Sequence, residues 1–175
     1  KIKFGLNYSY DDFDEIVEKN DVFYNRIDKS IGGFFEYSYD SMDAVSLVAG
    51  IRYDIHNNLG NFFTPRIHMR YQPFEKSVFR FSLGTGRKSS NIFSENQNIF
   101  ATGREIKILN NSGKFYGLDP EKAFNYGLSF RQGFFINNRE GDITFDYYVT
   151  DFDNQVVVDW ETQGELSFYN LDGKS

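Results

Sequence analysis

The chain has no cysteine among its 175 residues, which excludes disulfide frameworks, thiolate metal sites and cysteine nucleophiles together. No apolar run approaches the roughly 20 residues that a membrane-crossing helix needs, and no signal-peptide pattern is present. No basic stripe emerges either. Lys+Arg number 19 against 25 Asp+Glu, a formal net charge of -6, and a chain of that balance is not built to neutralise nucleic-acid phosphates. There is no repeat beyond the hairpin, and no low-complexity linker pointing to a second domain. Catalytic patterns are missing too. No Ser-His-Asp order stands out, and LGTGRKSS lacks the Gly-x4-Gly-Lys-Ser/Thr spacing of a phosphate loop. Asp151 and Asp153 run into a polar loop without EF-hand spacing. No enzyme and no cofactor is expected.

What the chain does have is aromatic residues, 19% of the total with 20 Phe and 12 Tyr, beside a mean hydropathy of only -0.53. Both fit if apolar and polar residues alternate strictly. From Ala44 to Arg87 they do. Val45, Leu47, Ala49, Ile51, Tyr53 and Ile55 alternate with Ser46, Gly50, Arg52, Asp54 and His56. Ile67, Met69 and Tyr71 alternate with Arg66, His68, Arg70 and Gln72, and Phe79, Phe81 and Leu83 with Arg80, Ser82 and Gly84. Side chains of a strand point to opposite faces in turn, so period two predicts a sheet with one apolar and one polar side. Arginines recur on the polar side, which must therefore meet water. The apolar side meets either a protein core or lipid.

The same alternation predicts strands at Lys1–Tyr10, Val22–Tyr39, Lys122–Ile136, Asp142–Asp153 and Glu165–Leu171, about eight in all. Between them DDFDEIVEKND reads as an acidic loop, DSMD (Asp40–Asp43) as a tight turn, HNNLGNFFTP as a medium loop closing at Pro65 and PFEKS as a short turn. Lys88 to Glu121 reads as one long irregular segment rich in Asn, Ser and Gly. Every second connection is brief. Up-and-down outer-membrane barrels have that asymmetry, with short turns at one rim and long loops at the other. A complete eight-stranded barrel closes with this number of strands, and a soluble β-sandwich acting as a carbohydrate-binding module alternates as well. Both remain as alternatives. The chain opens at Lys1 inside one strand and closes at Ser175 just after another, which predicts a segment of a longer protein.

Several stretches in order resemble the barrel of TonB-dependent receptors of the Bacteroidetes type: AGIRYDIHNNLGNFFTPRIHMRYQP, FRFSLGTGRKSSNIFSE, GLDPEKAFNYGLSFRQGF, ITFDYYVTDFDNQVVVDW and FYNLDGKS. The resemblance covers most of the chain from Ile31 onward. It implies an all-β, antiparallel up-and-down meander, a slice of a larger transmembrane barrel over residues 1–175 with the family's plug domain absent. The implied role is wall segment of an outer-membrane receptor importing a scarce nutrient: a siderophore, cobalamin, a metal complex or a glycan. Implied partners are outer-membrane lipid, a small-molecule ligand, and, through the parent's other regions, the plug and TonB. The apolar face would contact lipid, with Tyr10, Tyr39, Phe62, Phe63, Tyr71 and Phe124 in interfacial girdles. Arg52, Asp54, Arg66, Arg70, Arg80 and Arg131 would line the lumen.

Those arginines could guide an anionic ligand or anchor a plug, and ladders to Glu36, Asp54 and Asp146 are the plainer expectation. His56, His68, Asp54 and Glu36 lack diagnostic metal spacing, and no metal site is expected. The long loop is the best candidate for ligand contact, through Phe93, Phe100, Phe115 and Tyr116. Freed from its neighbours, a slice with an apolar face and two open edges is expected to self-associate.

Overall fold

The computed structural model describes residues 1–17, 22–41, 44–109 and 113–174. They form one sheet of nine strands: β1 (Ile2–Val17), β2 (Val22–Ser41), β3 (Val45–His56), β4 (Gly60–Phe74), β5 (Ser77–Lys88), β6 (Glu105–Ile108), β7 (Glu121–Ile136), β8 (Arg139–Asp159) and β9 (Glu165–Lys174). Between β5 and β6 lie a single helical turn, α1 (Ile92–Glu95), and a 3-10 turn at Gln97–Ala101. The spatial order is β1-β2-β3-β4-β5-β7-β8-β9-β6. Every pair is antiparallel except β6 on β9, which is parallel. The eight long strands are the predicted meander. Among the described residues β1 and β9 do not pair, so the sheet is open, and there is no second sheet for a sandwich.

Register puts the alternation to use. Phe4, Phe35, Ile51 and Pro65 stand side by side across β1 to β4. Met69, Phe81, Leu128 and Tyr147 do the same across β4, β5, β7 and β8. This apolar face is uncovered: Phe4 is 82% and Leu6 87% exposed. A water-facing sheet would not carry such a continuous aromatic surface. Phe62 is the exception among the predicted girdle residues. It pairs with Asp54 and so lies on the polar face, where the Arg87 guanidinium sits 5.0 Å from its ring.

The connections segregate to two rims. At the turn rim β4 passes to β5 through Glu75–Lys76, and β7 to β8 through Asn137 and Asn138 at φ 50° and 60°. Two successive left-handed residues make the type I′ turn whose twist suits a hairpin, and asparagine tolerates that region. The Asp40–Asp43 turn falls partly outside the described residues.

At the opposite, loop rim the strands run further than their sequence suggests. The acidic stretch is largely strand, with β1 and β2 paired out to Val17 and Val22. The medium loop shrinks to Asn57–Leu59, since β4 begins at Gly60. Pro65 therefore sits within β4, and the β4–β5 pairing begins only at Arg66. A proline has no N–H to give a ladder, and the strands splay beyond it. A second irregularity, between Tyr71 and Phe74, surrounds Pro73 for the same reason.

Among the described residues the only sizeable core is not between layers. It lies beneath residues 89–109 and 113–120, where Ile92, Phe93, Ile99, Ile106 and Leu118 pack with Val17 of β1 and Leu166 and Phe168 of β9. Six of the largest buried side chains, Phe115, Phe168, Ile92, Ile99, Leu118 and Leu166, are below 2% exposed. Each contributes about 1.5–3 kcal/mol by leaving water. The segment expected to be irregular is thus a packed cap, and its EIKI stretch supplies the ninth strand.

Candidate functional site

The polar face is assembled by glycines as much as by charges. Glu36 of β2 is only 7% exposed and accepts from Lys3 Nζ of β1 (2.8 Å) and from Arg66 Nη2 of β4 (2.5 Å). Arg66 reaches Glu36 by passing over β3 at Gly50, where an added Cβ would stand 3.2 Å from Arg66 Nε. Three strands, β1, β2 and β4, are tied by this one carboxylate across β3. One row further toward the loop rim, Arg52 clasps Asp54 through Nε (2.6 Å) and Nη2 (2.8 Å). Asp54, 4% exposed, lies over Gly32 of β2, where a Cβ would overlap its Oδ1. With the Asn7 amide oriented to match, its oxygen accepts from Arg52 Nη2 (2.9 Å) and its nitrogen donates to Gly32 O (3.2 Å).

A hollow of about 320 Å³ opens beside this pair, lined by Ser30, Arg52, Asp54, His56, Phe62 and Arg87 among others. His56 Nδ1 accepts the backbone N–H groups of Asn58 and Leu59 (both 3.1 Å), which leaves Nε2 to carry the imidazole proton. With two guanidinium groups nearby, the lining is rich in donors and suits an anionic or oxygen-rich small molecule.

Nearer the turn rim the pattern changes. Arg70 and Arg80 are direct cross-strand partners. Arg70 Nη2 donates to the Gln72 side chain, and among the described residues neither arginine makes an ion pair. The ladder expected to Asp146 does not form; Arg131 pairs instead with Asp142, at 3.2 Å. All six predicted lumen residues share the polar face. The structure does not gather His56, His68, Asp54 and Glu36, which stand in four different rows.

The cap is held by its aromatic residues. Phe93 and Phe115 are buried, the latter at 0% exposure, and so act as core rather than as accessible contacts. Phe100 remains 47% exposed. Tyr116, half-buried at φ 56°, stacks edge-on against Tyr24 and Phe93, with centroids 4.9 and 5.2 Å away. Its hydroxyl donates to Glu15. Arg26 completes the latch, donating to Asp28 (3.0 Å) and to Asn91 Oδ1 (2.5 Å), with its guanidinium 4.5 Å from the Phe13 ring centre and 5.0 Å from that of Phe115. Glu15, Arg26 and Asn91 were not singled out in the sequence. Nothing local marks the latch, because the bonds Tyr116–Glu15 and Arg26–Asn91 join residues 101 and 65 positions apart.

Burial, and then the bond to Glu15, push the Tyr116 hydroxyl above the ordinary tyrosine range. A raised folded-state value makes the protonated form the docked one. Cap docking should hold up to the unfolded value near pH 10 and weaken as pH climbs toward the folded one. Tyrosinate absorbance tracked alongside cap proteolysis checks this, and loosening already at neutral pH would contradict it.

A family model described as TonB dependent receptor-like, beta-barrel, matches residues 2–175. No curated protein matches the chain. Among solved structures, the siderophore receptor PirA of Pseudomonas aeruginosa superposes with a TM-score of 0.64 at 16% identity, over 98% of this chain and 30% of its own. A mutant of the ferric enterobactin receptor PfeA of Pseudomonas aeruginosa, in complex with enterobactin, gives 0.66 at 13% identity, over 98% and 29%. The chain therefore spans about 30% of the length of the receptors it resembles. At these identities the likeness is one of fold.

Proposed function

Since the chain belongs to the TonB-dependent receptor-like β-barrel family, we propose that it is a stretch of the wall of an outer-membrane receptor that imports a scarce nutrient. Its plug would be supplied by another part of the same polypeptide, and its energy by TonB. The observation that carries this reading is the division of one open sheet into an uncovered aromatic face and an arginine-bearing face. Lipid satisfies the first and a wet lumen the second. The free edge of β1 and the Tyr169–Lys174 part of β9 would receive the neighbouring wall strands. The cap at the loop rim would lie over the outer mouth, with Phe100 and the Arg52/His56/Arg87 hollow facing incoming ligand. That donor set favours an anionic cargo, and the siderophore receptors among its structural relatives support a chelated metal over a neutral glycan.

Two arginine substitutions on β7 test the orientation. Leu128→Arg, on the apolar face near the middle of its strand, should cost about 2–4 kcal/mol when the whole receptor is folded into phospholipid vesicles. Asn125→Arg, on the polar face, should cost little. Equal costs, or a harmless Leu128→Arg, would sink the wall reading.

A further inference from the structure

β4 and β5 part before they end. Their ladder stops at Arg66 opposite Gly84, although β4 begins at Gly60 and β5 runs on to Lys88. Continued in register, Pro65 would face Thr85, Thr64 would face Gly86 and Phe63 would face Arg87. Those pairs do not form, and a Cβ added at Gly86 would meet nothing within 4 Å. On their other sides both strands stay paired to the rim, β4 with β3 as far as Gly60 and β5 with β7 as far as Lys88. The gap is therefore a slit through the sheet, and it opens into a hollow on each face. The polar one is the space of about 320 Å³ beside Arg52 and Asp54. The other, about 510 Å³, is lined by Phe63, Thr85, Lys122, Phe124 and Asp151 among others. Gly86 and Arg87 line both. By register Arg87 starts on the face opposite the polar one, beside Lys122. Its guanidinium nevertheless lies 5.0 Å from the ring of Phe62 on the polar face, and its Nη1 donates to Leu59 O at 3.2 Å. The slit thus passes a guanidinium group. Thr85 Oγ1, buried beside it, has no hydrogen-bond partner among the described residues.

We propose that the slit is a side entrance to the polar hollow, taken by the anionic head of an amphiphile whose tail stays outside on Phe63 and Phe124. The inference rests on the wall reading, which puts those two rings at the membrane surface. The tail gains by staying against the rings, out of water. The head leaves them for the Thr85 hydroxyl and Arg87 and, beyond the slit, for Arg52 and the His56 Nε2–H. Unpaired strand edges are costly in hydrocarbon, and a bound polar head gives these edges partners. Arg87 is the gate. One hydrogen bond and one ring contact hold it across the slit, and an anion can replace both.

The test places one cysteine at a time in the full-length receptor, any cysteine of its own first changed to serine. The vesicles are phosphatidylcholine doped with a phospholipid whose headgroup carries a maleimide. Thr64→Cys, on the polar face at the slit, should form a lipid adduct. Arg87→Ala should speed that reaction roughly tenfold, the rate equivalent of about one hydrogen bond. Pro65→Val restores the N–H that the ladder lacks, and should slow it by a similar factor. Phosphatidic acid mixed into the vesicles should compete. Phe63→Cys, outside the slit, should react whatever stands at positions 65 and 87. No adduct at position 64 where Phe63→Cys reacts, a rate indifferent to both substitutions, or no competition by phosphatidic acid overturns the entrance and leaves the wall standing. Ser82→Cys, on the polar face beside an unbroken ladder, must stay unlabelled. An adduct there sets that face against lipid, and overturns the wall reading itself.

Discussion

Replacing Phe168 with alanine should release the cap from the loop rim while leaving the long strands paired. Phe168 is fully buried. It faces Val158 of β8 and Ile108 of β6 in register, and its carbonyl accepts the Leu109 N–H at 2.9 Å. Truncating a buried phenylalanine costs about 3–5 kcal/mol in transfer and cavity terms. Here the cost falls on one module, because the cap touches the sheet through this cluster and a few polar latches. Opening should therefore become roughly a thousandfold more frequent, the equivalent of about 4 kcal/mol. Hydrogen exchange at Ile106 and Ile108 should accelerate accordingly, with Ile51 and Phe81 unchanged. Phe100→Ala is the control: a half-exposed ring should cost under about 1 kcal/mol. If Phe168→Ala accelerates the whole sheet, the cap is no separate unit.

The second large effect belongs to a residue with no side chain. Gly32→Ala places a methyl group where Asp54 Oδ1 now lies, so the carboxylate must leave and Arg52 loses both of its bonds to Asp54. Breaking a buried ion pair costs about 3–5 kcal/mol. Because the Arg52 side chain is 46% exposed, the expected loss is lower, about 2 kcal/mol. Urea titration of the full-length protein in detergent should show it as a lowered midpoint. Gly86→Ala, with open space around its added Cβ, should be nearly neutral. Adding Asp54→Gly to Gly32→Ala should recover part of the loss, since the collision disappears with the carboxylate. A Gly32→Ala variant as stable as the parent would refute the account of why that glycine is there.

Period two made the part of the sheet with one apolar face legible from sequence alone. Between the rims one face is apolar and the other wet, so Ile51 against Arg52 or Phe81 against Arg80 declares its side. Beyond the apolar band that contrast fades, and with it the signal. Asp11, Asp12 and Asp14 of β1 read as loop because no apolar side remains to alternate with, although the backbone ladder continues to Val17. Glu105–Ile108 does alternate, but four residues set among Asn, Ser and Gly gave no reason to expect a partner, and that partner is Glu165–Phe168. The cap core was hidden for the same reason. Ile92, Ile99 and Leu118 keep no common period, being gathered by long-range contacts rather than by one element. On the polar face the arginines were found and their pairing was not. Arg66 reaches Glu36 across Gly50, two strands away, and only the register reveals that.

The parallel strand β6 has a mechanical consequence. It occupies the edge of β9 from Glu165 to Phe168, so on the wall reading a following strand can hydrogen-bond to β9 only from Tyr169 onward. At about 3.4 Å per residue the cap thus holds the first roughly 14 Å of that edge. The cap and the next strand are rivals for one row of backbone groups, and docking of the cap decides where the next joint can start to zip.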